Sequence, residues 1–215
     1  MLRFLIFVLG FPFACWASEE DLFRFYSTVN AGIMLGQEID FEDQAQSDSQ
    51  NGTLALNAGL VASTDVGILF NWGDFNLGFE GHWGALQQET RDFERQADRV
   101  ETNDILDVMY FGLGIKTGYK FSERFTLFTE VGAGRALIDF VDPGLTEYQS
   151  TTSRYFQTGV NLEALLLENW AMELGLKQRW TGEFDFDYNA IERNGTMTFE
   201  GSSQALFSIG LTFYF

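Results

Sequence analysis

The sequence predicts an all-β chain, an eight-stranded antiparallel up-and-down β-barrel whose strands cross a membrane. Three observations predict it. Apolar residues take every second position over eight stretches, the period of a strand with one oily face. Four long polar connections alternate with three short turns. The final stretch, Phe207 to Phe215, sets Phe207, Ile209, Leu211, Phe213 and Phe215 on one face and stops on an aromatic residue. Terminal residues are usually exposed and frayed, so an oily ending suits a strand whose outer face meets lipid.

Composition narrows the classes. The chain has 215 residues and a net charge of −18, which argues against nucleic acid as a partner. Phenylalanine (23) and glycine (22) are abundant and proline (2) is scarce, a balance that suits many unbroken strands. Residues 1–17 read as a secretory signal peptide: Arg3 gives the positive start, Phe4 to Phe13 the apolar run, and Cys15-Trp16-Ala17 the small-residue cleavage site. Cleavage is expected after Ala17 or Ser18, leaving residues 18–215 as one barrel domain. Cys15 invites a lipoprotein reading, but Pro12 and Phe13 fit that motif poorly. Without Cys15 no cysteine remains for a disulfide or a nucleophile. No later stretch has the apolar length of a spanning helix, and a closed barrel is the other way through a bilayer.

Strand one, about 22–36, sets Phe23, Phe25, Val29, Ala31, Ile33 and Leu35 against Arg24, Tyr26, Thr28, Asn30 and Gly32. The acidic stretch Glu38 to Gly52 reads as a solvated loop. Strand two, about 53–72, carries Leu54, Leu56, Ala58, Leu60, Ala62, Val66, Ile68, Phe70 and Trp72 on its oily face. Gly73-Asp74 turns the chain into strand three, 75–86, with Phe75, Leu77, Phe79, Trp83 and Ala85. The charged stretch 87–103 is expected as a helical turn or an extended hairpin. Strand four, 104–121, and strand five, 125–138, flank a turn at 122–124. A third loop at 140–153 leads to strand six, 154–166; strand seven, 170–181, follows a turn at 168–169. A fourth loop, 182–196, precedes strand eight, 198–215.

Periodicity alone does not say which face is enclosed. Three features put the oily face outside. The polar face holds most strand glycines, which leave room in a narrow lumen. Aromatic residues gather beside the short turns, with a looser ring of Trp83, Phe111, Phe156, Trp180 and Phe199 near the loops, as expected at two water–lipid boundaries. Asp107, Arg135 and Gln178 break the oily face only near the loop ends, where the penalty for a charge fades.

The terminal strand resembles that of bacterial outer-membrane β-barrels, and the whole mature chain resembles the OmpA/OmpX-like superfamily without its periplasmic domain. The resemblance implies an outer-membrane address reached through the periplasm, with membrane lipid and lipopolysaccharide as neighbours. It makes Phe207, Ile209, Leu211, Phe213 and Phe215 the signal read by the barrel-assembly machinery. A monomer is expected.

An eight-stranded barrel has room for its own side chains and little else. Asp65, Glu80, Glu130, Glu163, Glu173 and Glu200 are expected inside, facing Arg24, Lys116, Lys120, Lys177 and Arg179, with His82 beside Glu80. This network reads first as a salt-bridged plug and second as a narrow conduit gated by one pair. A His–Glu pair could do acid–base chemistry. The lipid A deacylases among such barrels use a lipid-facing His and Ser two residues apart, whereas here Gly84 follows His82 at that spacing. No catalytic, cofactor-binding or metal site is expected, and the acidic loops read as solvated surface rather than as a Ca²⁺ site. The functional expectation is a structural or surface-interaction protein, with a narrow porin-like channel as the alternative and a lipid-modifying enzyme third.

Overall fold

The computed structural model describes residues 22–45, 48–95, 98–101, 105–141, 149–190 and 193–215. The expected signal peptide, residues 1–17, lies outside them, as does the middle of the third loop. Thirteen strands follow in order: β1 (Phe23–Met34), β2 (Gln37–Ala45), β3 (Asp48–Leu56), β4 (Gly59–Trp72), β5 (Phe75–Arg95), β6 (Asp98–Glu101), β7 (Ile105–Lys120), β8 (Phe125–Val141), β9 (Gln149–Leu167), β10 (Trp170–Thr181), β11 (Phe184–Ala190), β12 (Arg193–Phe199) and β13 (Ser202–Tyr214).

Eight of them close a ring. β1 pairs with β4, β4 with β5, β5 with β7, and then β8, β9, β10 and β13 follow, every pairing antiparallel. β13 returns to β1 from Tyr26↔Tyr214 to Met34↔Leu206. The Phe215 N–H donates to the Phe25 carbonyl at 2.9 Å, so even the last residue is stitched to the first strand. Closure satisfies every strand edge, which a sheet in hydrocarbon requires.

The turns are built for tightness. Gly73 has φ 63, a left-handed conformation that glycine adopts without steric cost, and it brings Trp72 opposite Phe75. At the second turn, Ser122 Oγ accepts the backbone N–H groups of Arg124 and Phe125 at 3.3 and 3.1 Å.

The faces are inverted relative to a water-soluble barrel. Leu113, Val131 and Leu174 are 75%, 49% and 49% exposed on the outer wall, whereas Lys116, Glu130 and Glu173 are 4%, 3% and 2% exposed inside. Phe213 packs on Trp170 and Phe215, and Phe121 on Phe125, around the turn end. Trp83, Phe111, Phe156 and Trp180 stand exposed towards the loops. Two outward hydroxyls pair across β7 and β8, where the Thr117 and Thr129 Oγ1 atoms lie 2.8 Å apart, and the outward Ser203 Oγ accepts from Gln178 Nε2 at 2.6 Å.

The first and fourth loops depart from expectation, whereas the second forms the extended hairpin expected as the alternative to a helical turn. All three fold into a second sheet, in the order β11-β12-β2-β3-β5-β6, standing on the loop end of the barrel. Residues 53–72 are two strands, because the chain leaves the ladder at Asn57 and Ala58 and passes from one sheet to the other. That step changes the phase of the alternation, so Leu54 and Leu56 are buried rather than turned to lipid. Phe199, expected in the outer aromatic ring, is 2% exposed and stacks on Phe184. With Ile39, Phe41 and Phe186 it meets the inward rim residues Met34, Val61, Leu86, Leu106, Val108 and Ile138 in one apolar cluster. The loop end of the lumen is thus covered by hydrocarbon.

The inverted faces predict that Ile115→Arg, on the lipid side in mid-strand, will cost about 2–4 kcal/mol of folding stability into lipid vesicles. Ile115→Leu should cost less than about 1.5 kcal/mol. Urea titration of vesicle-embedded protein measures both.

Candidate functional site

Alternating residues of all eight wall strands converge on the barrel axis, and their polar groups are arranged in tiers. Nearest the turn end, Tyr214 Oη donates to Glu163 Oε2 at 2.5 Å. Lys116 Nζ lies 2.7 Å from Glu173 Oε2 and 4.4 Å from the centre of the Phe128 ring. Tyr26 Oη donates to Glu80 Oε2 at 2.6 Å.

The middle tier is centred on Glu130. Lys177 Nζ lies 2.8 Å from its Oε1, Asn161 Nδ2 donates to Oε2 at 2.6 Å, and Gln157 Nε2 donates to Oε1 at 3.3 Å. A Cβ on Gly159 would stand 2.9 Å from Lys177 Cγ and 3.0 Å from Glu130 Cγ, so this pair needs glycine beside it. Across the lumen Asn30 Nδ2 donates to Asp65 Oδ2 at 2.8 Å.

In the upper tier Arg179 donates through Nε and Nη2 to Gln157 Oε1, at 3.2 and 2.8 Å. Its guanidinium carbon sits 3.8 Å above the Tyr110 ring, a close cation–π contact. His82 Nε2 and the Tyr155 hydroxyl are hydrogen-bonded. Between the tiers, Asn30, Asp65, His82, Lys177 and Arg179 border a cavity of about 20 Å³, roughly the space of one water.

Nine of the residues expected in the network are buried in it: Asp65, Glu80, His82, Lys116, Glu130, Glu163, Glu173, Lys177 and Arg179. Two are not. Lys120 is the last residue of β7 and lies exposed in a vestibule of about 270 Å³ at the turn end, with Arg24 and Arg124. Glu200 is exposed between β12 and β13, where the chain steps from the second sheet to the wall and the alternation restarts. His82 is bonded to Tyr155 and not to Glu80, whose partner is Tyr26. Phe207, Ile209 and Leu211 are exposed on the outer face of β13.

Sequence reasoning missed the tyrosines. Asp65, Glu80 and Glu163 form no ion pair among the described residues; an amide or a phenol hydroxyl donates to each. Inward phase was the available signal: Tyr214 stands between Phe213 and Phe215, and Tyr155 beside Phe156, each on the opposite face from its neighbours.

No family model matches the sequence, and no curated protein matches it. Solved structures do match. OprG from Pseudomonas aeruginosa, an outer membrane protein, superposes with a TM-score of 0.62 at 11% identity, over 89% of this chain and 95% of that one. Neisserial surface protein A matches over 89% and 97% with a TM-score of 0.47 at 11% identity. Ail, the attachment invasion locus protein of Yersinia pestis, matches over 88% and 98% with a TM-score of 0.41 at 14% identity. The chain has the fold of a small bacterial outer-membrane β-barrel. The resemblance drawn from the sequence holds at that level, without singling out OmpA or OmpX.

Breaking one buried pair leaves a charge without its partner. Lys177→Met should therefore destabilise the barrel by about 3–5 kcal/mol. Adding Glu130→Gln should recover part of that loss. A double-mutant cycle from urea unfolding measures the coupling.

Proposed function

We propose that the protein is a closed outer-membrane barrel that serves as a rigid base for a surface-interaction lobe, and not as a conduit. The observation that carries this reading is the filled lumen. The Glu130–Lys177 and Lys116–Glu173 pairs bridge the interior, the cavity beside them is about 20 Å³, and an apolar cluster covers the loop end. A solute would have to break a buried ion pair and part that cluster, both costly.

Short turns face the periplasm and long loops the exterior in barrels of this type. The second sheet is then the surface the protein presents. Its outer side carries a groove of about 770 Å³ bordered by Asp40, Glu42, Glu183 and Glu200. That charge favours a basic partner and repels bare phosphate. The reading gives His82 no catalytic role, since it points into the filled lumen, away from the lipid face, and is held by Tyr155. The outer face of β13 serves as the assembly signal.

Reconstituted in planar bilayers, the protein should pass no steady current across a wide voltage range. Stepwise conductance would overturn the closed-lumen reading. Cells displaying Asp40→Asn, Glu183→Gln and Glu200→Gln together should bind polylysine-coated beads less than cells displaying the unaltered protein. Equal binding would remove the basic-partner reading.

A further inference from the structure

The outer wall carries one arrangement that the fold does not explain. Arg135 on β8 and Arg154 on β9 are direct cross-strand partners, and both are exposed on the lipid side. Side chains directly opposite have Cβ atoms about 4.5–5.5 Å apart, and like charges in that position repel. Neither arginine forms an ion pair among the described residues. In a chain of net charge −18, two adjacent unpaired cations are not a by-product of composition.

Their height on the wall is informative. Arg135 lies ten residues beyond Phe125, where β8 leaves the turn. A strand crosses the hydrocarbon in about 9–11 residues. Arg135 is level with Phe111 across the β7–β8 ladder, and Arg154 stands two residues towards the loops from Phe156. Phe111 and Phe156 belong to the loop-side aromatic ring, which marks the water–lipid boundary. The two guanidinium groups therefore sit at headgroup height in the outer leaflet. Glu183 follows Gly182, whose N–H donates to the Arg154 carbonyl at 2.8 Å, but its carboxylate forms no ion pair with either arginine. Asp107 and Asp139 are four residues along the ladder from Arg135, about 13 Å away.

We propose that Arg135 and Arg154 together bind a phosphate group of an outer-leaflet glycolipid. A phosphate between them would turn a repulsive pair into two charge-assisted contacts. The planar guanidinium fork suits phosphate oxygens, which it can grip by two parallel hydrogen bonds. Phe111 and Phe156 offer apolar surface below for the acyl part of the same molecule. The loops repel bare phosphate, so this pair gives the wall an anchor that the acidic lobe lacks.

The inference rests on the membrane placement proposed above but not on a closed lumen, so conductance in bilayers would leave it standing. The test uses refolded protein in detergent, with native folding checked by its shifted gel migration before boiling. Binding is measured to purified lipopolysaccharide, to the same lipid after phosphatase treatment, and to inorganic phosphate. Arg135→Gln/Arg154→Gln should weaken binding of the phosphorylated lipid by about tenfold or more. It should leave the dephosphorylated lipid unchanged, and millimolar inorganic phosphate should not displace the lipid. Arg154→Gln alone should give an intermediate loss and serves if the double variant folds poorly. Equal affinity of variant and unaltered protein for the phosphorylated lipid would overturn the proposal. Displacement by inorganic phosphate would overturn its assignment to a lipid.

Discussion

Hydrocarbon accepts no unpaired backbone group, and the rest of this structure depends on that prohibition. A sheet placed there must close, and it does so where β13 meets β1 from Tyr26↔Tyr214 to Met34↔Leu206. Once the ring closes, each side chain is committed to lipid or lumen by its place in the alternation. Leu113, Val131 and Leu174 then form wall, while Lys116, Glu130 and Glu173 must find partners in a space with almost no water.

Narrowness sets the chemistry inside. Five buried carboxyl groups, Asp65, Glu80, Glu130, Glu163 and Glu173, share the lumen with Lys116, Lys177 and Arg179. The two lysines pair with Glu130 and Glu173, and neutral donors serve the remaining acids: Asn30, Tyr26 and Tyr214. Phenols bring bulk as well as a hydroxyl, so they fill the barrel and satisfy it at once. Gly159 gives up its side chain so that Lys177 and Glu130 can meet. At the loop end the covering layer is mostly apolar, although Asp43 on β2 is buried there as well. Ile39, Phe41, Phe184 and Phe199 cover the lumen with apolar surface.

The wall was legible in the sequence because its alternation is clean and its two sides differ sharply in chemistry. The second sheet was not, although it obeys the same rule. In Glu38-Ile39-Asp40-Phe41-Glu42 the acidic residues outnumber the apolar ones, and the stretch reads as a loop. The alternation is nonetheless there, as it is in Phe184-Asp185-Phe186-Asp187, with Ile39, Phe41, Phe184 and Phe186 turned inward. Phase errors explain other misses. Asn57-Ala58 and the Glu200–Gly201 step each interrupt a ladder, so Leu54, Leu56 and Glu200 were given the wrong side. Partners across the lumen are beyond any local pattern: His82 bonds Tyr155, 73 residues away, while Glu80, two residues before it, bonds Tyr26.

The direction of the oily face underlies both the proposed location and the proposed roles. It is tested most directly by spin labels at single cysteines, introduced as Ile115→Cys, Val131→Cys and Leu174→Cys in a Cys15→Ser background and reconstituted in lipid. Each label should collide readily with lipid-soluble oxygen and hardly at all with a water-soluble nickel complex. Labels that meet nickel more than oxygen, or that are shielded from both, would contradict it.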